Sequence, residues 1–158
     1  MELSNDYKEF FELLNANGVR YLVIGGFAVA LHGHPRYTKD LDIWIWINEQ
    51  NAIHLLKTLR DFGFGSLGIK SSDLMNPENI FQLGYAPNRI DLITSIEGLD
   101  FETCFQEKVI LDYHGISINF IDYQHLIQSK KAAGRPQDLA DVDFLEKVQK
   151  KRNTKKKK

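Results

Sequence analysis

The sequence predicts a mixed α/β sheet packed by helices, with two further helices at the C-terminal end. Three observations predict it. Apolar runs of strand length alternate with runs of helical spacing through the first part of the chain; two hairpins follow; and from His125 onward two helical stretches flank Gly134. A doubly wound parallel sheet would keep strand and helix alternating to the end, so hairpins followed by helices argue for a mixed sheet.

Each element has its own warrant. Tyr7, Phe10, Phe11 and Leu14 recur at helical spacing and stop near Asn17 and Gly18, which gives an opening helix with one apolar face. Tyr21, Leu22, Val23 and Ile24 form a short apolar run into Gly25 and Gly26, and Phe27, Ala28, Val29, Ala30 and Leu31 continue without a breaker to Gly33: strand, tight turn, helix. A second strand begins at Asp40, Leu41 and Asp42 and runs into Ile43, Trp44, Ile45, Trp46 and Ile47. Ala52, Leu55, Leu56, Leu59 and Phe62 then mark a helix that ends before Gly63. Ile80, Phe81, Gln82 and Leu83 and the run Arg89, Ile90, Asp91, Leu92, Ile93 pair across a turn at Ala86, Pro87 and Asn88. Val109, Ile110, Leu111 and Ile116, Ile118, Phe120 flank a turn at Asp112, Tyr113, His114 and Gly115 as a second hairpin. No internal repeat and no linker interrupts the pattern, so residues 1–149 are expected to form a single domain.

Composition agrees with that size. At 158 residues, 43% hydrophobic and 11% aromatic, the chain is long enough to bury ~70% of its unfolded surface without a covalent staple. Cys104 stands alone, which excludes an internal disulfide, and no leader-like segment or apolar run of membrane length is present, so a cytoplasmic protein without a membrane partner is expected. The formal charge of −1 hides an asymmetry: the last nine residues carry seven of the twenty basic side chains and leave an acidic body. Residues 150–158 are expected as a basic, disordered tail, with a handle for RNA phosphates as the alternative.

The candidate carboxylates lie on the predicted strands. Residues i and i+2 of a strand project the same way at roughly 7 Å, so Asp40 and Asp42 share one face while Leu41 and Ile43 face the core. Carboxylates beside so apolar a strand are costly to desolvate, and a shared divalent cation makes the placement favourable. Asp91 is a third lone carboxylate inside an apolar strand. Three such acids supply the ligand count of a two-metal site built on hard oxygen ligands, with Mg²⁺ the expected ion and Mn²⁺ an alternative. The turn at Gly25 and Gly26 lets backbone approach a phosphate closely. Plainer readings exist for each piece: a solvated strand start neutralised by Lys39 or Arg36, and an ordinary strand-to-helix turn.

Ile24, Gly25 and Gly26, then thirteen residues, then Asp40, Leu41, Asp42 and Ile43 resemble the signature of the DNA polymerase β-like nucleotidyltransferase superfamily. Asp91 stands where that superfamily carries its third carboxylate. Arg36, Thr38 and Asp40 form an Arg-x-Thr-x-Asp run similar to small bacterial nucleotidyltransferases, including those of toxin–antitoxin and phage-defence systems. Lys130, Ala133, Arg135, Asp138 and Asp141 resemble the late helix of the same group. The resemblance implies transfer of a nucleoside monophosphate from an NTP to a hydroxyl on RNA, protein or a small molecule, with release of pyrophosphate. It implies that Asp40 and Asp42 bridge two metal ions and that Asp91 ligates one of them and takes the nucleophile's proton, while Gly25, Gly26, Arg36, Thr38 and Lys130 hold the nucleotide. Gly26 stands where many relatives carry Ser, so Thr38 or backbone N–H groups must supply that phosphate contact. Arg36 and Lys130 read equally well as solvated basic side chains. A non-catalytic module that binds nucleotide or a cognate partner protein is the alternative function.

Other matches lack context. Gly63, Gly65 and Gly68 fit a dinucleotide fingerprint but follow a helix instead of a strand. Asp61, Phe62 and Gly63 echo a kinase metal motif without the accompanying lysine strand. His32 and His34 have no partners at zinc spacing, so they are expected to serve the loop or contact the acceptor.

Overall fold

The structure, a computed structural model, describes residues 1–156. Its elements follow the order α1 (Asn5–Ala16), β1 (Tyr21–Ile24), α2 (Gly25–Leu31), β2 (Asp40–Ile45), α3 (Glu49–Asp61), α4 (Ser71–Leu74), β3 (Ile80–Leu83), β4 (Arg89–Ile93), α5 (Phe101–Gln106), β5 (Val109–Tyr113), β6 (Ile116–Phe120), α6 (Tyr123–Ala133) and α7 (Pro136–Lys156). The strands form a six-stranded mixed sheet in the order β3-β4-β2-β1-β6-β5. β2 runs parallel to β4 and β1 parallel to β6, and the remaining pairs are antiparallel.

The local chemistry accounts for the boundaries. Ser4, Asn48, Asp100 and Asp122 accept hydrogen bonds from backbone N–H groups in the first turns of α1, α3, α5 and α6, satisfying donors that no helical carbonyl can reach. Gly134, at a φ of 66°, ends α6 in the left-handed region. The second hairpin turns on His114 and Gly115, both at positive φ, as a two-residue turn between right-twisted strands requires. β1 lies inside the sheet and is buried at every residue, which explains its unbroken apolar run. In β2, Leu41 and Ile43 are fully buried while Asp40 and Asp42 keep partial access to solvent, the alternation expected of a strand with one face on the core. α5 and the single turn α4 have no counterpart in the sequence reading, both being too short to show a period.

α7 differs from expectation at its end. Residues 150–156 continue it as exposed helix where a disordered tail is expected, and Lys157 and Lys158 lie outside the described residues. Lysine and arginine are good helix formers, no breaker intervenes, and cations at a helix C-terminus complement its dipole.

Candidate active site

Strand register assembles the acidic residues. In the parallel β2·β4 ladder Asp40 stands opposite Arg89 and Asp42 opposite Asp91, and across the other edge of β2 Asp42 stands opposite Ile24, next to Gly25. Side chains on the two consecutive same-face rungs therefore form a square with an acid at three corners and a guanidinium at the fourth. Carboxylate oxygens of Asp40, Asp42 and Asp91 all lie within 4.8 Å of one another. Arg89 Nη2 donates to Asp40 Oδ2 at 2.7 Å and to Asp91 Oδ2 at 3.1 Å. The cation beside the acids is thus Arg89. Arg36 pairs elsewhere, and Lys39 is exposed.

The square is electrostatically strained. Burial, followed by the charges of Asp40 and Asp91, pushes the Asp42 carboxyl up to about 7 against the opposing pull of Arg89 and Lys130. Burial and the neighbouring Asp40 also raise Asp91, although Arg89 works in the other direction. From α1, Tyr7 directs its hydroxyl to the carbonyls of Pro87 and Arg89 at 3.1 and 2.9 Å, buttressing the start of β4. Burial and the three acids raise its phenol to about 12, so it remains a donor. Asp91 Oδ1 is buried without a hydrogen-bond partner: Arg89 Nε lies 3.0 Å away but is not aligned to donate. An orphaned carboxylate oxygen within an all-oxygen donor set fits a hard divalent cation.

Gly25 borders the square at a φ of 67°, and a Cβ there would overlap Asp42 Oδ2. Only glycine allows the backbone this close to the acid. A Cβ on Gly26 would fall 2.6 Å from Thr38 Oγ1, so the threonine hydroxyl fills the space that a side chain at position 26 would take. α2 has only seven residues, and the positive charge on this side comes mainly from side chains. Lys130 Nζ reaches Asp138 at 3.3 Å and Asp141 at 3.0 Å. Arg36 grips the fully buried Asp141 through Nε and Nη2, both at 3.1 Å, and Gln137 adds a third donor at 3.0 Å. Arg135 clasps Asp138 through Nε at 2.6 Å and Nη2 at 3.2 Å. Burial opposes ionisation of both acids, but hydrogen bonds from Arg135 and Lys130 hold Asp138 below the usual carboxylate value, and those from Lys130 and Arg36 do the same for Asp141.

Two adjoining clefts share these groups. The larger, about 430 Å³, contains Asp40, Asp42, Asp91 and Arg89 under an apolar wall of Ile93, Ile96, Leu126 and Ala133. The smaller, about 220 Å³, is lined by Gly25, Gly26, Thr38, Arg36, Lys130 and Arg135. Asp40, Asp42, Asp138, Lys130 and Arg135 line both clefts, so acids and bases meet along one opening.

The model of the family described as nucleotidyl transferase of unknown function (DUF2204) matches residues 3–158. The chain belongs to this family. Among curated proteins no sequence matches it. Two solved structures share the fold: a candidate nucleotidyltransferase of Thermotoga maritima, 18% identical over 94% of this chain and 91% of its own with a TM-score of 0.56, and an antigenic nucleotidyltransferase-like protein of Paracoccidioides brasiliensis, 17% identical over 90% of this chain and 77% of its own with a TM-score of 0.52.

In this DUF2204 protein all eight residues singled out from the sequence line the two clefts: Asp40, Asp42, Asp91, Gly25, Gly26, Arg36, Thr38 and Lys130. The sequence reading missed Arg89 and Tyr7. Arg89 carried a signal, since it precedes Asp91 by two residues on the same strand face. Tyr7 carried none, because its place on an apolar helix stripe is that of a core residue. His32 and His34 anchor the loop after α2, with His32 Nε2 2.8 Å from the Ile121 carbonyl and His34 stacked on Phe144.

Proposed function

We propose that the protein transfers a nucleoside monophosphate from an NTP to a hydroxyl acceptor. One observation carries this reading: carboxylates from β2 and β4 converge within 4.8 Å of one another beside a glycine turn. Asp40, Asp42 and Asp91 would hold Mg²⁺ or Mn²⁺, which when bound supplies nucleophile activation and neutralises charge on the phosphates. The acceptor oxygen attacks the α-phosphorus, the bond to the bridging oxygen breaks, pyrophosphate leaves, and the hydroxyl proton passes to Asp91. A carboxyl raised by burial is a better proton acceptor than an ordinary one, and general base catalysis contributes ~10²–10⁴-fold. Arg36, Lys130 and Arg135 balance the triphosphate charge in the smaller cleft, with Thr38 supplying a hydroxyl beside Gly26. The apolar wall of Ile93, Ile96, Leu126 and Ala133 suits the nucleoside.

Incubation with Mg²⁺ and each α-labelled NTP, with RNA and lysate protein as acceptors, tests the reading. The resemblance to toxin-type relatives makes a cognate partner protein the first protein acceptor to include. Label transfer that is abolished by Asp42→Ala supports an enzyme. Tight nucleotide binding without transfer to any acceptor assigns a binding module instead.

A further inference from the structure

The fourth corner of the acidic square is filled by this chain's own cation. Arg89 Nη2 bridges Asp40 Oδ2 and Asp91 Oδ2, linking the same two strands that a shared metal ion would link. Its Nε lies 3.0 Å from Asp91 Oδ1 as an ion-pair contact without a hydrogen bond, so that oxygen is close to the guanidinium yet unsatisfied by it. Oxygens around Mg²⁺ sit at ~2.0–2.1 Å from the ion, which requires two carboxylates to close on a single centre. A bridging Nη2 holds its two oxygens at 2.7 and 3.1 Å and fills the space between them. Asp91 is buried, with a side chain only 10% exposed, whereas the Arg89 side chain is 35% exposed and borders the larger cleft. Of the two, only the arginine has somewhere to go.

We propose that Arg89 is an internal competitor for the divalent cation: its guanidinium holds Asp40 and Asp91 together, and an ion takes over these carboxylates only as Arg89 turns outward into the cleft. The inference rests on the metal-binding reading of the three acids. Arg89 thereby sets the metal affinity. It also keeps Asp40 and Asp91 from being driven apart by mutual repulsion, as their own charges would drive them.

The test is Mn²⁺ binding alone, read from the electron paramagnetic resonance signal of free Mn²⁺, for the full-length chain and its Arg89→Gln and Arg89→Lys variants. Arg89→Gln is expected to bind Mn²⁺ about two- to fivefold more tightly than wild type, the scale of one partly exposed ion pair surrendered. Arg89→Lys keeps the charge but cannot fork across two carboxylates, so its dissociation constant should fall between the two; it also serves if the glutamine variant does not fold. Unchanged or weaker binding by Arg89→Gln, with wild type binding normally, overturns the proposal and leaves the metal reading in place. An Arg89→Lys affinity equal to wild type overturns the bridging competition in favour of a simple charge effect. Failure of wild type and both variants to bind Mn²⁺ overturns both ideas together.

Discussion

Asp42 is a residue whose charge the fold opposes. Its ordinary value of 3.8 is raised to about 7 in the folded chain, so the folded state holds this proton more tightly than the unfolded chain does. The stabilising contribution of the proton is therefore complete below about pH 4 and is lost as pH rises towards 7. Asp42→Asn removes the dependence. In chelator, urea denaturation should find the variant more stable than wild type at pH 8 by on the order of 2–4 kcal/mol, at ~1.4 kcal/mol per pKa unit, with the two converging near pH 4. Equal stability at both pH values would mean that Asp42 is not strained. Gly25 is constrained just as tightly, by backbone instead of charge. At a φ of 67° and against Asp42 Oδ2, Gly25→Ala must either leave the left-handed region or displace the acid. Destabilisation of at least ~1 kcal/mol is expected from the backbone alone. Mn²⁺ affinity should fall with it, which separates displacement of the acid from simple strain.

At the scale of elements, α7 contributes the buried acids Asp138 and Asp141 that hold Lys130, Arg36 and Arg135 in place. Asp141 ties Arg36, Lys130 and Gln137 together from a fully buried position, so Asp141→Ala leaves Arg36 without its carboxylate partner and Lys130 with Asp138 alone. Breaking a buried pair from one side costs ~3–5 kcal/mol. The exposed pair Asp143–Lys147 on the same helix has side chains 67% and 71% accessible, so Asp143→Ala should cost under ~1 kcal/mol in the same chemical denaturation series. The contrast marks what could be read in advance. Strands and amphipathic helices were legible because their periodicity is local, and the three acids because each interrupts an apolar strand. The parallel pairing of β2 with β4 was not legible: nothing within either strand says that Asp42 will stand opposite Asp91 instead of one rung away. Arg89 and Tyr7 join the site only through that register and through the packing of α1. The grip of Asp141 on Arg36 spans 105 residues, and only the folded chain brings the two together.

For the whole molecule, folding stores repulsion among the acids of β2 and β4 and buries compensated charge on α7. The last buried residue of α7 is Leu145, and the helix is fully exposed from Lys150 onward. Residues 1–149 are therefore proposed as the complete folding unit, and deletion of 150–158 should change the unfolding free energy by less than ~1 kcal/mol. No described helix is long and apolar enough to cross a membrane. A ligand that binds only the folded chain stabilises it by about 2.7 kcal/mol at a hundred times its dissociation constant. For a chain of this size each kcal/mol is worth ~2–4 °C in Tm. Saturating Mg²⁺ should thus raise the wild-type Tm at pH 8 by about 5–10 °C. Asp42→Asn should start higher, because the repulsion is gone, and respond little, because the ligand is gone too. This crossed pattern, a more stable protein that has lost its response to metal, distinguishes a metal centre from a structural acid cluster. In a structural cluster, removing one charge would change the starting Tm and leave the effect of Mg²⁺ equal in both proteins.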